Sequence, residues 1–321
     1  MRILLTGATG FVGGRLLERL LARGGIGGGA PSCSQLTVLA RRTLALPSGA
    51  DVRVVTGDMA DPAAMARAVE GGVDCVFHLA TVPGAAAQRD FDLGMASNIG
   101  GLEHLLNALR RQDGRARVVF SSSVGVYGDL PPEVDDGTLP VPNYNYGFQK
   151  LMGELMVAAW SHNGWIDGLS LRLCGIVARP EGDSAGLMTG FFSDVIHAAR
   201  AGKPFTLPMS PQASSWLMSA PCIVDNLLHA ARIQSDGFPT SRAFILPALN
   251  VSMREYVRAI AELYGPNAAA RISFAPVPDI EARFGRQGPI HAAIADRLGF
   301  RHDGSTRALI ERAMTNLAGT P

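Results

Sequence analysis

The N-terminal stretch joins a short apolar segment, a glycine-rich turn and an amphipathic segment within 23 residues. Residues 2–5 form an apolar run of the kind found in buried parallel strands. Gly7, Gly10 and Gly13 follow at regular intervals, and residues 15–23 have leucines at helical spacing. In such a unit the first glycine permits a tight turn, the second lets a pyrophosphate approach the backbone, and the third lets the helix pack on the strand. Because helix N-termini also attract phosphate, this context favours a dinucleotide-binding turn over an ordinary structural turn. The expected cofactor contacts here are Gly7, Thr9, Gly10, Phe11, Val12 and Gly13.

Apolar segments alternate with segments of helical periodicity over the first half of the chain. The predicted strands are residues 2–5, 36–39, 52–55, 74–77, 118–120 and 169–173. This alternation predicts an α/β fold, a Rossmann doubly wound parallel sheet of order 3-2-1-4-5-6. Later helical patterns cover residues 188–201, 222–234, 252–264 and 305–317. We expect a dinucleotide-binding Rossmann domain at residues 1–173 and a smaller substrate-binding lobe at residues 174–321, parts of which return to the sheet.

The composition excludes several classes of partner. The length of 321 residues allows a large core, and the apolar fraction of 47% is ordinary for a soluble globular protein. A net charge of +1 gives no indication of a nucleic-acid partner or of an acidic membrane partner. No apolar run is long enough to span a bilayer, and the first residues do not form a signal peptide. The expected partner is a small-molecule substrate.

The four cysteines are scattered along the chain. Cys33, Cys75, Cys174 and Cys222 form no Cys-x-x-Cys pair and have no histidine at metal-ligand spacing. We therefore expect no metal site, and buried or neutral thiols in a reducing cytoplasm.

The end of the second predicted strand bears on which dinucleotide binds. A Rossmann unit that prefers NAD usually has Asp or Glu there, which accepts hydrogen bonds from the ribose 2′-hydroxyl, whereas arginine suits a 2′-phosphate. This chain has Ala40 at that position, followed by Arg41 and Arg42. Guanidinium groups bind phosphate through charge-assisted hydrogen bonds, although arginines after a strand are also common on solvated surfaces. The missing carboxylate favours NADP, with Arg41 and Arg42 as contacts and NAD as the alternative.

A Tyr-x-x-x-Lys motif supplies a pair of groups suited to proton transfer. Tyr146 and Lys150 lie four residues apart in a predicted helix, so the phenol and the ammonium share one face. A free phenol has a pKa near ~10, too high for a base at neutral pH, and a fixed cation nearby lowers it. The motif follows the run Ser121, Ser122 and Ser123 at the end of the fifth predicted strand, where open α/β sheets bind ligands.

These features together resemble the short-chain dehydrogenase/reductase superfamily and, within it, the extended branch that includes the sugar-nucleotide epimerases and dehydratases. The resemblance depends on the Thr-Gly-x-x-Gly-x-x-Gly turn ending at Gly13, the Ser-Ser-Ser-x-x-Val-Tyr-Gly segment starting at Ser121, and Tyr-x-x-x-Lys. It covers residues 1–180 well and the remainder loosely. Several segments, residues 78–81 and 224–230 among them, look more like D-erythronate dehydrogenases and related sugar-acid dehydrogenases than like epimerases.

The resemblance implies roles for further residues. Ser123 would hold the substrate oxygen against Tyr146, with Ser121 or Ser122 as the alternative, and Asn98 would brace the backbone of the active site. Asp58 would contact the adenine amino group, while Asp61 has the position of a helix N-cap. The other residues expected at the cofactor are Met59, Leu79, Ala80, Tyr146, Lys150, Cys174 and Ile176, and those expected at the substrate are Thr81, Ser123 and Tyr146.

The resemblance also implies a homodimer that pairs two long helices of each subunit, around residues 98–111 and 146–161. The apolar face would come from Met152, Leu155, Met156 and Ala159, for which a core-facing role is the alternative.

The residues and the resemblance predict an NAD(P)-dependent oxidoreductase. It would transfer a hydride between nicotinamide and a secondary alcohol or ketone of a small hydroxy acid, sugar acid or similar carbonyl substrate. The first alternative is a nucleotide-sugar epimerase or dehydratase, which uses the same three side chains for a transient oxidation. The second is a non-catalytic NADP-binding regulatory protein, although such proteins typically lack the tyrosine or the lysine that this chain retains.

Overall fold

The computed structural model describes residues 1–44, 46–47, 49–183 and 188–315, so the predicted helical positions 316–317 lie outside the described residues. In the described part of the chain the strands are β1 (Arg2–Thr6), β2 (Gln35–Ala40), β3 (Val52–Thr56), β4 (Cys75–His78), β5 (Ala116–Ser123), β6 (Val134–Asp135), β7 (Ile166–Leu173), β8 (Gly175–Val177), β9 (Phe205–Leu207), β10 (Ser214–Ser219), β11 (Ala243–Ile245), β12 (Leu249–Ser252), β13 (Ile272–Phe274) and β14 (Ile290–His291).

The helices in the same residues are α1 (Phe11–Arg23), α2 (Pro62–Val69), α3 (Gly84–Arg89), α4 (Phe91–Gly94), α5 (Gly101–Arg110), α6 (Asn145–His162), α7 (Phe191–Arg200), α8 (Ala220–Ala230), α9 (Met253–Tyr264), α10 (Pro266–Ala269), α11 (Pro278–Phe284), α12 (Ala293–Arg297) and α13 (Thr306–Thr315). A π-helical turn (Met95–Gly100) joins α4 to α5, and a 3-10 turn (Val124–Tyr127) follows β5. Within these residues, no helix combines the length and the apolar character that crossing a membrane requires.

The largest sheet in the described residues has seven strands in the order β11-β7-β5-β4-β1-β2-β3. The pairings of β1 with β2 and β4, of β2 with β3, of β4 with β5 and of β7 with β11 are all parallel. The predicted doubly wound α/β fold and its strand order are therefore confirmed. The sequence did not predict β11, because three residues are too few to produce a periodic pattern.

The chain divides into two compact units. The first comprises Met1–Gly128, Pro140–Arg172 and Val224–Ile245, and therefore contains the large sheet up to Arg172. Its core lies between the sheet and helices α2, α5 and α6, where apolar side chains such as Leu4, Met65, Leu105 and Val157 are buried. The helix α2 begins as predicted, because the side chain of Asp61 accepts a hydrogen bond from the backbone N–H of Ala63.

A charged cluster ties the last piece of the first unit to its central strands. Arg117 on β5 donates to Asp167 on β7 at 2.6 Å and to the backbone carbonyls of Ala230 at 2.6 Å and Ile233 at 2.9 Å. Arg242, directly before β11, donates to the second oxygen of Asp167 at 2.9 Å. These contacts hold the edge strand in place beside β7.

The second unit comprises Asp129–Leu139, Leu173–Ile223 and the described part of Leu246–Pro321. It contains a three-stranded sheet of order β12-β10-β8 and the pairs β13-β9 and β14-β6. Its core is a separate set of buried side chains, which includes Phe192, Ile196 and Tyr256. The assignment of cofactor binding to the first unit and of substrate binding to the second stays a prediction.

Candidate active site

The glycine-rich turn lies tightly between β1 and the first turn of α1. Gly7 has a positive φ of 81°, and a Cβ atom there would lie 2.6 Å from the backbone nitrogen of Ala80. A Cβ atom on Gly13 would overlap the carbonyl oxygen of Gly7. Gly10 is the N-cap of α1, and both it and Thr9 are solvent-exposed, while Phe11 and Val12 are partly buried. The turn therefore opens to solvent at a helix N-terminus, as a phosphate-binding turn requires.

The segment after β4 runs alongside this turn. The backbone N–H groups of Leu79 and Ala80 donate to the carbonyl and the hydroxyl of Thr6, both at 3.3 Å. His78 is fully buried, with Nδ1 located 3.0 Å from the same hydroxyl. Burial, with a smaller contribution from Lys150, lowers the pKa of His78 to about 3. The imidazole is therefore neutral and structural. Leu79 and Ala80 lie next to the glycine-rich turn, and their contact with a cofactor stays a prediction.

The strand β2 ends at a residue without a carboxylate. Ala40 is the last residue of the strand and pairs with Thr56 of β3. Arg41 and Arg42 follow directly, and both are exposed. The two arginines therefore begin immediately after the strand.

Asp58 and Met59 lie in the turn after β3. Asp58 is exposed, and its carboxylate accepts a hydrogen bond from the backbone N–H of Ala60 at 2.9 Å. Met59 is buried and packs in the core of the first unit. The acceptor at Asp58 is accessible to a ligand, whereas the side chain of Met59 is not.

The motif residues come together where β5 ends and α6 begins. Ser123 is the last residue of β5, and its Oγ accepts a hydrogen bond from the N–H of Gly125 at 3.1 Å. The helix packs directly on this turn, because a Cβ atom on Gly147 would overlap the Gly125 carbonyl. The Nζ atom of Lys150 lies 5.4 Å from the centroid of the Tyr146 ring. The serine strand, the phenol and the ammonium therefore meet in one region of the first unit.

Lys150 is almost completely buried. Its Nζ donates to the backbone carbonyl of Ser121 at 2.7 Å and lies 4.9 Å from the centroid of the Phe120 ring. Burial lowers the pKa of Lys150 to about 7, and the carboxylate of Glu154 opposes this shift. Near neutral pH, both the ammonium form and the neutral amine of Lys150 are therefore populated.

Asn98 connects the segment after β4 to helix α6. It lies in the π-helical turn and is buried. Its Oδ1 accepts from the backbone N–H of Val82 at 2.7 Å and from the Thr81 hydroxyl at 3.0 Å. Its Nδ2 donates to the Val82 carbonyl at 3.2 Å and to Oε1 of Gln149 at 2.7 Å. One side chain therefore fixes the backbone near the predicted substrate contact Thr81 and the residue that precedes Lys150.

A buried ion pair, missed by the sequence analysis, lies behind the motif. Glu154 accepts from Nε and Nη2 of Arg172 at 3.0 Å and 2.8 Å, and from the hydroxyl of Ser122 at 2.5 Å. The Nη1 group of Arg172 donates to the hydroxyl of Tyr127 at 3.0 Å. Burial opposes the charge of Arg172, but its bonds to Glu154 outweigh burial and raise the pKa of the guanidinium. The sequence did contain a signal for this pair, because Arg172 is a charged residue inside the apolar run of β7 and a buried charge needs a partner.

The two remaining predicted cofactor residues belong to the second unit. Cys174 is buried just before β8, and burial raises the pKa of its thiol. Ile176 lies in β8 opposite Met218 of β10. Their assignment to the cofactor stays a prediction.

Comparisons with known proteins agree with this geometry. A sequence model of the NAD dependent epimerase/dehydratase family matches residues 3–215. The D-erythronate dehydrogenase of Cupriavidus necator is 35% identical over 321 residues, covering 98% of this chain and 98% of that protein. The D-erythronate dehydrogenase of Haemophilus influenzae is 27% identical, covering 97% and 98%. The solved structure of a nucleoside-diphosphate-sugar epimerase from Agrobacterium tumefaciens superposes with a TM-score of 0.92 at 29% identity, covering 100% of this chain and 95% of that one.

The predicted family is therefore confirmed by a match over more than half of the chain and by a relative that aligns over nearly all of it. The chain belongs to the NAD dependent epimerase/dehydratase family and is an oxidoreductase enzyme of the extended short-chain dehydrogenase/reductase type.

Proposed function

We propose that this enzyme oxidises a secondary alcohol of a small hydroxy acid or sugar acid to the ketone, or runs the reverse reaction. The observation that carries the proposal is the placement of the Tyr146 ring 5.4 Å from the Lys150 ammonium, on a helix packed against the turn after Ser123. The similarity to two D-erythronate dehydrogenases supports a sugar acid as the substrate class.

Each side chain has a distinct part in the proposed reaction. The hydroxyl of Ser123 holds the substrate oxygen, and the phenol of Tyr146 takes the hydroxyl proton in oxidation or returns it in reduction. Lys150 favours the phenolate through its charge. A nicotinamide cofactor, when bound, would supply the hydride acceptor in oxidation and the hydride donor in reduction. Thr81 bonds Asn98, which in turn bonds Gln149 next to Lys150, and Thr81 is the proposed additional substrate contact.

The residues around the glycine-rich turn fit a nicotinamide dinucleotide. The solvent-facing N-terminus of α1 suits its pyrophosphate, and the exposed carboxylate of Asp58 suits the adenine amino group. We further propose that the preferred form is NADP, with NAD as the alternative. The supporting observation is that β2 ends at Ala40 without a carboxylate, while Arg41 and Arg42 are both exposed beside it.

The proposed assembly is a homodimer. Helices α4 and α6 expose a set of large apolar side chains, and Leu155 is 64% exposed. The set is Phe91, Leu93, Phe148, Met152 and Leu155. Ala159 is also exposed, whereas Met156 is partly buried against the core of the first unit. Pairing of these helices between two subunits would remove this apolar surface from water. A cytoplasmic location stays a prediction.

A second candidate function is nucleotide-sugar epimerisation or dehydration. It is favoured by the similarity to the epimerase structure from Agrobacterium tumefaciens. The same Ser123, Tyr146 and Lys150 would then perform a transient oxidation, and the bound cofactor would be regenerated within one turnover.

A substrate panel tests the proposal. The protein is mixed with NADP, NADPH, NAD or NADH and with sugar acids, other hydroxy acids, ketones and nucleotide sugars. Absorbance at the reduced-nicotinamide band and product formation by chromatography are both recorded. A net absorbance change with a sugar acid is the expected result. Product without net absorbance change would instead indicate the epimerase, and cofactor binding without any product would contradict both.

A further inference from the structure

The buried ion pair lies next to the proposed acid/base group along one helix. Tyr146, Lys150 and Glu154 follow each other at four-residue intervals in α6, and Arg172 on β7 binds Glu154. Neighbours four residues apart on a helix have Cβ atoms ~5–6 Å apart. The groups therefore alternate in the order phenol, ammonium, carboxylate and guanidinium. When the phenol is ionised, every charge in this row has an opposite charge as its neighbour.

Three of the four groups in this row, all except the phenol, are buried. As whole residues, Lys150, Glu154 and Arg172 are 2%, 3% and 8% exposed. Charges in such surroundings interact more strongly than at a surface, and each one costs free energy unless it is paired. The ammonium has a carboxylate one helical turn away, at Glu154, and this carboxylate counteracts the effect of burial on the pKa of Lys150.

Other titratable and charged groups around Lys150 do not replace that carboxylate. On β4, His78 is neutral because burial lowers its pKa to about 3. On β7, Arg172 is a cation, and on the 3-10 turn the hydroxyl of Tyr127 accepts the bond from this cation. On β5 the lysine contacts a backbone carbonyl and the Phe120 ring, which carry no charge.

Glu154 also connects the elements that carry the reacting groups. It binds Ser122, which immediately precedes Ser123 on β5, and it belongs to the helix that carries Tyr146. Arg172 extends the connection to Tyr127, in the turn that follows Ser123. The pair is therefore bonded to residues on both sides of Ser123 as well as to the tyrosine helix.

We propose that Glu154, held by Arg172, is a positioning residue that keeps Lys150 in its ammonium form and fixes the helix bearing Tyr146 against the strand bearing Ser123. This inference rests on the proposed function, because it takes Tyr146 as the acid/base and Lys150 as its cationic partner. No atom is transferred to or from Glu154.

The test compares Glu154→Gln with Glu154→Asp and with the double variant Glu154→Gln and Arg172→Met. The affinity for NADP is measured from pH 5 to 10 by fluorescence titration, and kcat/KM is measured over the same range. Removing the carboxylate makes Lys150 lose its proton at lower pH, so the alkaline limb of both profiles should move down by about one pH unit or more. Glu154→Asp should restore the original midpoint, although its shorter side chain should lower kcat.

The control variant is Ser122→Ala, which removes a hydroxyl from the network and leaves every charge in place. Its pH midpoint should equal that of the unmodified protein. The double variant leaves no unpaired buried charge and can be measured where Glu154→Gln alone does not fold. Because it removes a cation together with the carboxylate, its midpoint should move down by less than that of Glu154→Gln. The proposal would be overturned if the pH midpoints of Glu154→Gln and of the double variant equalled that of the unmodified protein. It would also be overturned if the double variant failed to fold, because the ion pair would then be needed for stability.

The binding titration separates this inference from the proposed function. An unmodified protein that binds NADP but converts no substrate would contradict the proposed function. The shift of the binding midpoint in Glu154→Gln would still decide whether this carboxylate sets the protonation state of Lys150.

Discussion

The ammonium of Lys150 donates a 2.7 Å hydrogen bond to the backbone carbonyl of Ser121. This bond fixes the lysine to the strand that ends in Ser123. A side chain held in this way by the protein itself loses little further freedom on contact with a ligand, which lowers the entropic cost of assembling the site.

The first prediction concerns the acid/base. Tyr146→Phe should preserve NADP binding and lower kcat by ~10²–10⁴-fold, because it removes a positioned proton donor and leaves the ring in place. Steady-state kinetics and a binding titration measure both effects. The matched control is Tyr144→Phe, since Tyr144 stacks on Tyr146 with ring centroids 6.3 Å apart. If the two variants lose turnover equally, the motif does not identify the acid/base.

The second prediction follows from the pKa of Lys150, which burial lowers to about 7. Below that pH the free protein has the ammonium, and above it the neutral amine. A bound dinucleotide that accepts hydrogen bonds from this group favours the charged form. Binding should therefore take up a proton above about pH 7 and almost none at about pH 5. Calorimetry in buffers of different ionisation enthalpy measures the uptake. Lys150→Met should abolish it, and persistent uptake in that variant would assign the proton to another group.

The third prediction concerns cofactor choice. Hydrogen bonds to charged groups contribute roughly 1.5–3 kcal/mol, so one well-placed arginine favours NADP over NAD by about ten- to a hundredfold. Ala40→Asp combined with Arg41→Ala should reverse the preference, because the new carboxylate accepts from a 2′-hydroxyl and repels a 2′-phosphate. Dissociation constants for both dinucleotides check this result. Arg111→Ala is a control, being an exposed arginine at the end of α5. Equal or tighter NAD binding by the unmodified protein would show that the arginines are ordinary surface residues.

The fourth prediction concerns assembly. Leu155→Glu places a charge in the exposed apolar set on α4 and α6, and should convert a homodimer into a monomer at micromolar concentration. Light scattering coupled to size exclusion measures the mass. Leu139→Glu is the matched control, because Leu139 is 78% exposed but belongs to the other unit. A monomeric mass for the unmodified protein would contradict the proposed dimer.

Local patterns predicted the elements that carry the motifs. The turn at Gly7, the end of β2 at Ala40 and the cap at Asp61 each depend on a few adjacent residues, so short sequence segments were sufficient to find them. The strand order was also predictable, because right-handed crossovers leave few arrangements for alternating strands and helices.

Contacts between distant segments were not predictable in the same way. Glu154 and Arg172 are 18 positions apart, and Ser122 precedes Glu154 by 32, so no local pattern connects them. The π-helical turn around Asn98 was also missed, because the apolar spacing of the surrounding helices does not reveal one widened turn. For Met156, the sequence left surface and core open, and the structure places it partly in the core.

The late position of β11 in the chain has a consequence for biosynthesis. Until residue 245 has left the ribosome, β7 has an unpaired edge, and both Arg117 and Asp167 lack partners that come from residues 230–242. An N-terminal fragment that stops at residue 173 would present that open edge to other chains, which is a route to aggregation. Emergence of the first 173 residues is therefore not sufficient for the seven-stranded sheet to form, and a fragment meant to isolate this sheet should include the Val224–Ile245 segment.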